Sequence, residues 1–166
     1  MPMTLSDKHV SVKIFDTLPQ NPEAPTVAEW DAATEVSDKM AFNNFALGPT
    51  GSSAVSDPAV NGDPNNAFGQ SAYSGTLTPF RYLDNDGVPE ADDTLWPLVK
   101  EKGTPLIVGI REGAAWDAAG KVGQEVSLYE GTTDDPQPSD RQAYVKYSVP
   151  FAVKRAWQHK ALTAGA

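Results

Sequence analysis

Apolar and polar side chains alternate along this chain in short runs, separated by stretches rich in glycine, proline and asparagine. Val10, Val12 and Ile14 alternate with Ser11 and Lys13, which predicts a half-buried strand. The clearest alternation covers residues 143–153, with Val145, Tyr147, Val149, Phe151 and Val153 inward and Lys146, Ser148 and Ala152 opposite. Pro150 marks an edge or a bulge there. Residues 70–82 also read as a strand, ending on the alternating Phe80 and Tyr82, with Gly75 and Pro79 pointing to an edge. Leu106-Ile107-Val108-Gly109-Ile110 is a compact apolar run, as in a strand covered on both faces. Residues 114–120 make a hairpin connection to a further strand over 121–130, with Val122, Val126 and Leu128 on one face.

One stretch carries a helical pattern, at about residues 92–102. Leu95, Leu98 and Val99 fall at i, i+3 and i+4 and share a face, with Trp96 beside them. Asp92 and Asp93 supply a cap and negative charge at the positive end of the helix dipole. Lys100 and Lys102 occupy the last turn, and Gly103 and Pro105 stop it. Pro97 fits only the first turn, where its missing N–H is not needed. Residues 26–37 match helical spacing weakly through Val27, Trp30 and Ala33; threonine and valine at both ends favour a short turn followed by a strand.

These elements predict a mainly β chain of six or seven strands, a sandwich or barrel-like fold with one flanking α-helix at about residues 92–102. A single domain over residues 1–166 is expected, with a flexible N-terminal arm at 1–8 and a C-terminal arm at 154–166. Residues 38–69 read as a long loop, uncommon in a compact domain. Its apolar residues Phe42, Phe45, Leu47, Val55, Val60 and Phe68 are expected to become ordered against a neighbouring molecule.

Composition narrows the function. A net charge of −9 argues against grasping nucleic acid, since phosphate binding needs clustered Lys and Arg. The charge is uneven. Asp84, Asp86, Glu90, Asp92 and Asp93 follow one another with no base between, whereas Arg141, Lys146, Lys154, Arg155 and Lys160 carry the C-terminal region with no acid between. Two complementary patches of this kind suit one copy docking on the next. The N-terminus lacks the basic start and apolar run of a signal peptide, and no segment has the apolar length of a membrane helix, so no membrane anchor is expected and the chain is expected to be made in a cytoplasm.

The search for catalytic chemistry returns little. The chain has no cysteine, which removes disulfides and thiolate chemistry. Its two histidines, His9 and His159, lie near opposite ends, so neither a histidine metal cluster nor a serine–histidine triad is suggested, and no cofactor is expected. The acidic turn fails as an EF-hand, because Gly87 at the sixth loop position puts Tyr82 where the first carboxylate belongs; a calcium site of another kind stays open. The acid pairs Asp92/Asp93 and Asp134/Asp135 have the composition of a glycosidase pair, but in a cap and a proline-bounded loop they read as solvated. Trp30, Trp96, Trp116 and Trp157 leave an alternative, a carbohydrate-binding β-sandwich module of a phage or bacterial surface protein.

In several stretches, taken in order, the chain resembles the major tail protein (tail tube protein) of long non-contractile-tailed bacteriophages, especially those of actinobacteria. The stretches are Pro25-Thr26-Val27-Ala28-Glu29-Trp30-Asp31-Ala32-Ala33-Thr34-Glu35-Val36-Ser37, with Ala33 where the family has Gly, then Gly69-Gln70-Ser71-Ala72-Tyr73-Ser74-Gly75-Thr76-Leu77-Thr78-Pro79-Phe80-Arg81-Tyr82, then Lys102-Gly103-Thr104 with the strand after it, and Tyr144-Val145-Lys146-Tyr147-Ser148-Val149-Pro150-Phe151. The resemblance implies a structural virion protein, not an enzyme, whose β-sandwich assembles into hexameric rings that stack into a helical tube for DNA ejection. It implies that one sheet of each subunit joins its neighbours' sheets to wall the channel, with the long loop and arms making contacts between rings. It also implies tape measure, tail terminator and distal tail proteins as partners, and DNA that passes without specific binding.

Overall fold

The structure is a computed structural model that describes residue 3 and residues 6–52, 54–56, 60–62, 66–139 and 141–165. Strands β1 (Val10–Phe15), β2 (Thr34–Glu35), β3 (Ala46–Thr50), β6 (Ala72–Leu77), β7 (Pro105–Glu112), β8 (Glu125–Thr133), β9 (Gln137–Pro138) and β10 (Tyr147–Ala161) form one antiparallel sheet in the order β2-β1-β7-β8-β10-β6-β3, with β9 also on β10. Strands β4 (Ala54–Ser56) and β5 (Asn66–Phe68) pair as a separate hairpin. The chain is therefore mainly β and sandwich-like, as its alternation predicts.

Pairing along β10 bends the sheet. Its Val149, Pro150 and Phe151 pair with Leu77, Thr76 and Gly75 of β6, while Phe151 onward pairs with β8. The face carrying Val12, Ile14, Leu106, Val108, Tyr129, Val149 and Phe151 buries the larger core, closed by Val36, Met40, Leu95 and Val99 from the connections. The opposite face carries a second core of Phe15, Trp30, Val126, Leu128 and Leu162. Period-2 alternation accounts for both, because each of β1, β7 and β8 sends even and odd residues to different cores.

The second core exists because of a helix that alternation does not reveal. Residues 26–37 start with α1 (Val27–Ala32), not with a turn alone: the Thr26 hydroxyl accepts the Glu29 N–H, and the Glu29 carboxylate accepts the Thr26 N–H. This capping box places Trp30, fully buried, over β7. A Cβ on Gly109 would stand 2.6 Å from the Phe15 ring and 2.9 Å from the Trp30 ring, so glycine lets those two rings approach the backbone of β7 closely. Arg111, also fully buried, lies over Trp30 at 5.5 Å and donates to the carbonyls of Ala115 and Ala118 at 3.0 and 2.8 Å. Burial pushes its guanidinium pKa down, against the opposing pull of Glu35 and Asp31.

Four expectations are corrected. The helix expected over 92–102 is one turn, α2 (Trp96–Val99), and it is one of two α-helices in the described chain. Its N-cap is Leu95, which makes no side-chain cap bond, because the Asp93 carboxylate turns inward to Arg81 instead. The C-terminal residues 154–161 are not a free arm: β10 runs to Ala161, Leu162 is buried, and Thr163 bridges Thr26 in parallel. The sequence hides this because two bulges, between Val153 and Arg155 and between Trp157 and Lys160, shift the alternation, so that Val153 and Ala156 both face the larger core and Trp157 the second. Residues 38–69 hold a 3₁₀ turn (Ser37–Lys39 at their start), β3 and the β4–β5 hairpin. The N-terminal arm is shorter than expected: Trp116 N–H donates to the Lys8 carbonyl and His9 N–H to Ser6, while residues 1, 2, 4 and 5 lie outside the described part.

Candidate assembly interface

The acidic turn that follows Phe80 is built by its own side chains. Asp84 Oδ1 accepts the N–H groups of Asp86 and Val88 at 2.9 and 2.8 Å, and Asp84 N–H donates to the Val88 carbonyl. Asp84, Asp86 and Glu90 stand in solvent. Asp92 is exposed with Lys39 3.9 Å away, but Asp93 is buried, so it leaves the acidic docking patch. Its carboxylate meets Arg81 Nη2 at 3.0 Å and Nε at 3.0 Å, and accepts the Tyr82 N–H at 3.2 Å. Arg81 lies 4.7 Å over Trp96, which is itself 4.4 Å from the Tyr147 ring. A buried, bidentate pair with an aromatic floor therefore fixes the base of the turn.

The five bases do not form one patch. Lys146 bridges Phe80, and the Val145 carbonyl accepts the Arg81 N–H, so Lys146 lies beside the segment that leads into the acidic turn, and Arg141 lines a cavity with it. Lys154, Arg155 and Lys160 lie along β10 instead. Arg155 pairs with Glu130 at 2.5 Å and Lys160 with Glu23, so two of these charges are engaged within the chain.

The apolar loop residues also divide. Phe45 and Leu47 pack against the larger core, whereas Phe42, Val60 and Phe68 are exposed, Phe68 to 81%. Val55 lies on β4, its side chain outside the described part. Sequence reasoning missed a more prominent apolar surface. Tyr144, 75% exposed, packs edge-to-face on Phe80 at 6.0 Å and closes a groove of about 410 Å³ lined also by Tyr82, Leu83 and Glu90. Val145, expected inward, is 54% exposed, because β10 begins only at Tyr147. The signal was present: alternation puts Tyr144 on the solvent side, where a large aromatic is out of place.

The groups singled out for chemistry have structural partners. Lys102 bridges Asp134 and Asp135 at 2.9 and 3.3 Å, and its hydrogen bond, with one from the Asp135 N–H and the Lys102 charge, holds the Asp134 carboxyl below the usual range. None of the four tryptophans stands fully in solvent; Trp30 and Trp96 are engaged as described and Trp157 carries Arg155 at 5.3 Å from its ring. Among the described residues, no group of three or more His, Asp or Glu side chains is arranged to hold a metal ion, and no helix is long and apolar enough to cross a membrane.

Several stretches of β-backbone have no strand beside them among the described residues, the outer edge of the two-residue β2 being the shortest. The outer edge of β3 ends the sheet, and β10 beyond Phe151 pairs with β8 on one side only. No curated protein matches the chain. A family model described as phage tail tube protein matches residues 1–166, the whole length, and it brings with it an architecture built from many copies. This chain belongs to the phage tail tube protein family, and its role is a structural one in the phage tail.

Proposed function

We propose that six copies of this chain close into a ring, and that rings stack into the tube through which the genome is ejected. The observation that carries the reading is the pair of open strand edges, on β3 and on β10 beyond Phe151. An exposed edge presents unpaired N–H and C=O groups that invite another strand. A head-to-tail contact between unlike edges closes into a ring or propagates as a filament. Joined edges would make one continuous sheet of the ring, while the β4–β5 hairpin and the exposed Phe42, Val60 and Phe68 make contacts between rings. The net charge of −9 keeps DNA phosphates from sticking as they pass. The tape measure protein inside the tube, with terminator and distal tail proteins at its ends, are the partners in the virion, after assembly in the host cytoplasm.

Negative-stain images of concentrated protein test this. Six-fold rings or tubes are expected, and a strictly monomeric particle across concentration and salt would refute it. If the exposed acids Asp84, Asp86, Glu90 and Asp92 meet Lys154 of another copy, raised salt weakens stacking; salt-indifferent tubes would remove that electrostatic contact.

A further inference from the structure

We propose that the cavity between β9 and the start of β10 receives the β4–β5 hairpin of a second copy of this chain, with Phe68 seated beside Tyr144. This docking presupposes the multimer proposed above and names its acceptor. The donor has reason to seek a partner. Among the described residues the hairpin pairs only with itself, apart from the eight-stranded sheet, and an isolated two-stranded hairpin is marginal in water. Phe68 at its end is 81% exposed.

The acceptor is a cavity of about 240 Å³, lined by Pro138, Arg141, Tyr144, Val145, Lys146 and Tyr147 among others. Two tyrosines flank it, and no carboxylate is among its described lining residues. Ala143 sits at φ 65, in the left-handed region that a residue with a Cβ enters only under constraint. Such strain concentrates at binding surfaces, and here it lies immediately before the exposed Tyr144. Aromatic residues exposed in the free protein and flanked by arginine have the composition of an interface anchor.

Charge selects the occupant. Residues 40–80 contain Asp57 and Asp63 and no lysine or arginine, whereas residues 138–147 carry Arg141 and Lys146 against Asp140. An acidic, phenylalanine-bearing hairpin therefore matches a basic, tyrosine-lined cavity. The surfaces belong to one chain, so a single sequence supplies both halves of a head-to-tail contact.

The absence of cysteine makes the test direct. Ala67→Cys and Ser139→Cys are introduced in separate, differently tagged chains, leaving Phe68 and Tyr144 in place. Mixed, assembled under mild oxidation and resolved on a non-reducing gel, they are expected to give a crosslinked heterodimer that neither variant gives alone. Phe68→Ala and Tyr144→Ala should each raise the concentration needed for assembly about tenfold or more, with the monomer's melting temperature unchanged. Tubes that form without the crosslink overturn the docking and leave the ring-and-tube reading standing. Failure of the wild-type chain to assemble overturns both. Binding of a labelled single-stranded oligonucleotide that is lost in Arg141→Ala and Tyr144→Ala, with assembly intact, would assign the cavity to nucleic acid and also overturn it.

Discussion

Replacing Asp93 by Asn separates two roles for the same carboxylate. As a helix cap, asparagine serves as well as aspartate, and the substitution would be nearly neutral. As the partner of Arg81, it removes the countercharge of a guanidinium whose side chain is 13% exposed, at a site where the Asp93 side chain is 2% exposed. Breaking a buried pair from one side costs about 3–5 kcal/mol, because the other charge is left without compensation. The amide oxygen can still accept the Tyr82 N–H, so the lower part of that range, about 3 kcal/mol, is expected for Asp93→Asn. For a chain of this size that corresponds to a melting-temperature loss of about 6–12 °C. Urea unfolding at a concentration where the protein is monomeric measures it by linear extrapolation. The double variant Arg81→Met with Asp93→Leu should recover most of the loss, since an apolar pair of similar volume replaces the ionic one. Asp93→Asn within about 0.5 kcal/mol of wild type would refute the ion-pair reasoning.

Gly131→Ala should prevent normal pairing of β8 with β10, because its Cβ would stand 2.2 Å from the Ala152 carbonyl oxygen, a backbone atom that cannot swing aside. Far-UV circular dichroism and melting should show an unfolded or strongly destabilised chain, and a melting curve like wild type would contradict the close approach. Thr26→Ala should cost about 1 kcal/mol through loss of the α1 cap. Burial raises the Glu29 pKa, but bonds from the Gln20 and Thr26 N–H groups and the Thr26 hydroxyl outweigh it and leave the group below its ordinary 4.5. A depressed carboxyl contributes stability above its unfolded pKa and loses it as pH falls through the folded one. Acid unfolding of Glu29→Gln should therefore lose less stability below pH 4.5 than wild type does; parallel curves would count against it. Deleting residues 52–66 should leave a folded monomer that no longer stacks, since the hairpin pairs with no other strand among the described residues; a large drop in melting temperature would place it in the core instead.

Much of this protein is local, and local features are legible in sequence. The strands β1 and β8 and the first half of β10 follow from alternation, because a period of two is a property of consecutive residues, and β7 follows from its compact apolar run. The hairpin connection between β7 and β8 follows from its turn residues. The α1 helix was equally local. Thr26 and Glu29 spell a capping box, and the weak apolar spacing after them obscured it. The resemblance in order and spacing of four stretches led to the family that the whole chain matches.

What the sequence alone determined is a mainly β chain built for association, acidic overall and without cysteine. Only the tertiary structure decided how its charges and aromatics are shared. Alternation cannot anticipate a bulge, so Ala156, Trp157 and Leu162 looked like the start of a loose tail until β8 gave them a register. Nor does spacing say which acid will find a buried partner: five acids run from Asp84 to Asp93, and only Asp93 leaves solvent, paired with the Arg81 that lies over Trp96. A backbone bridge sets Lys146 beside Phe80, while Tyr144, two residues earlier, stays exposed. Charge and apolarity are properties of a residue, but exposure is a property of the residues around it, and those arrive from far along the chain.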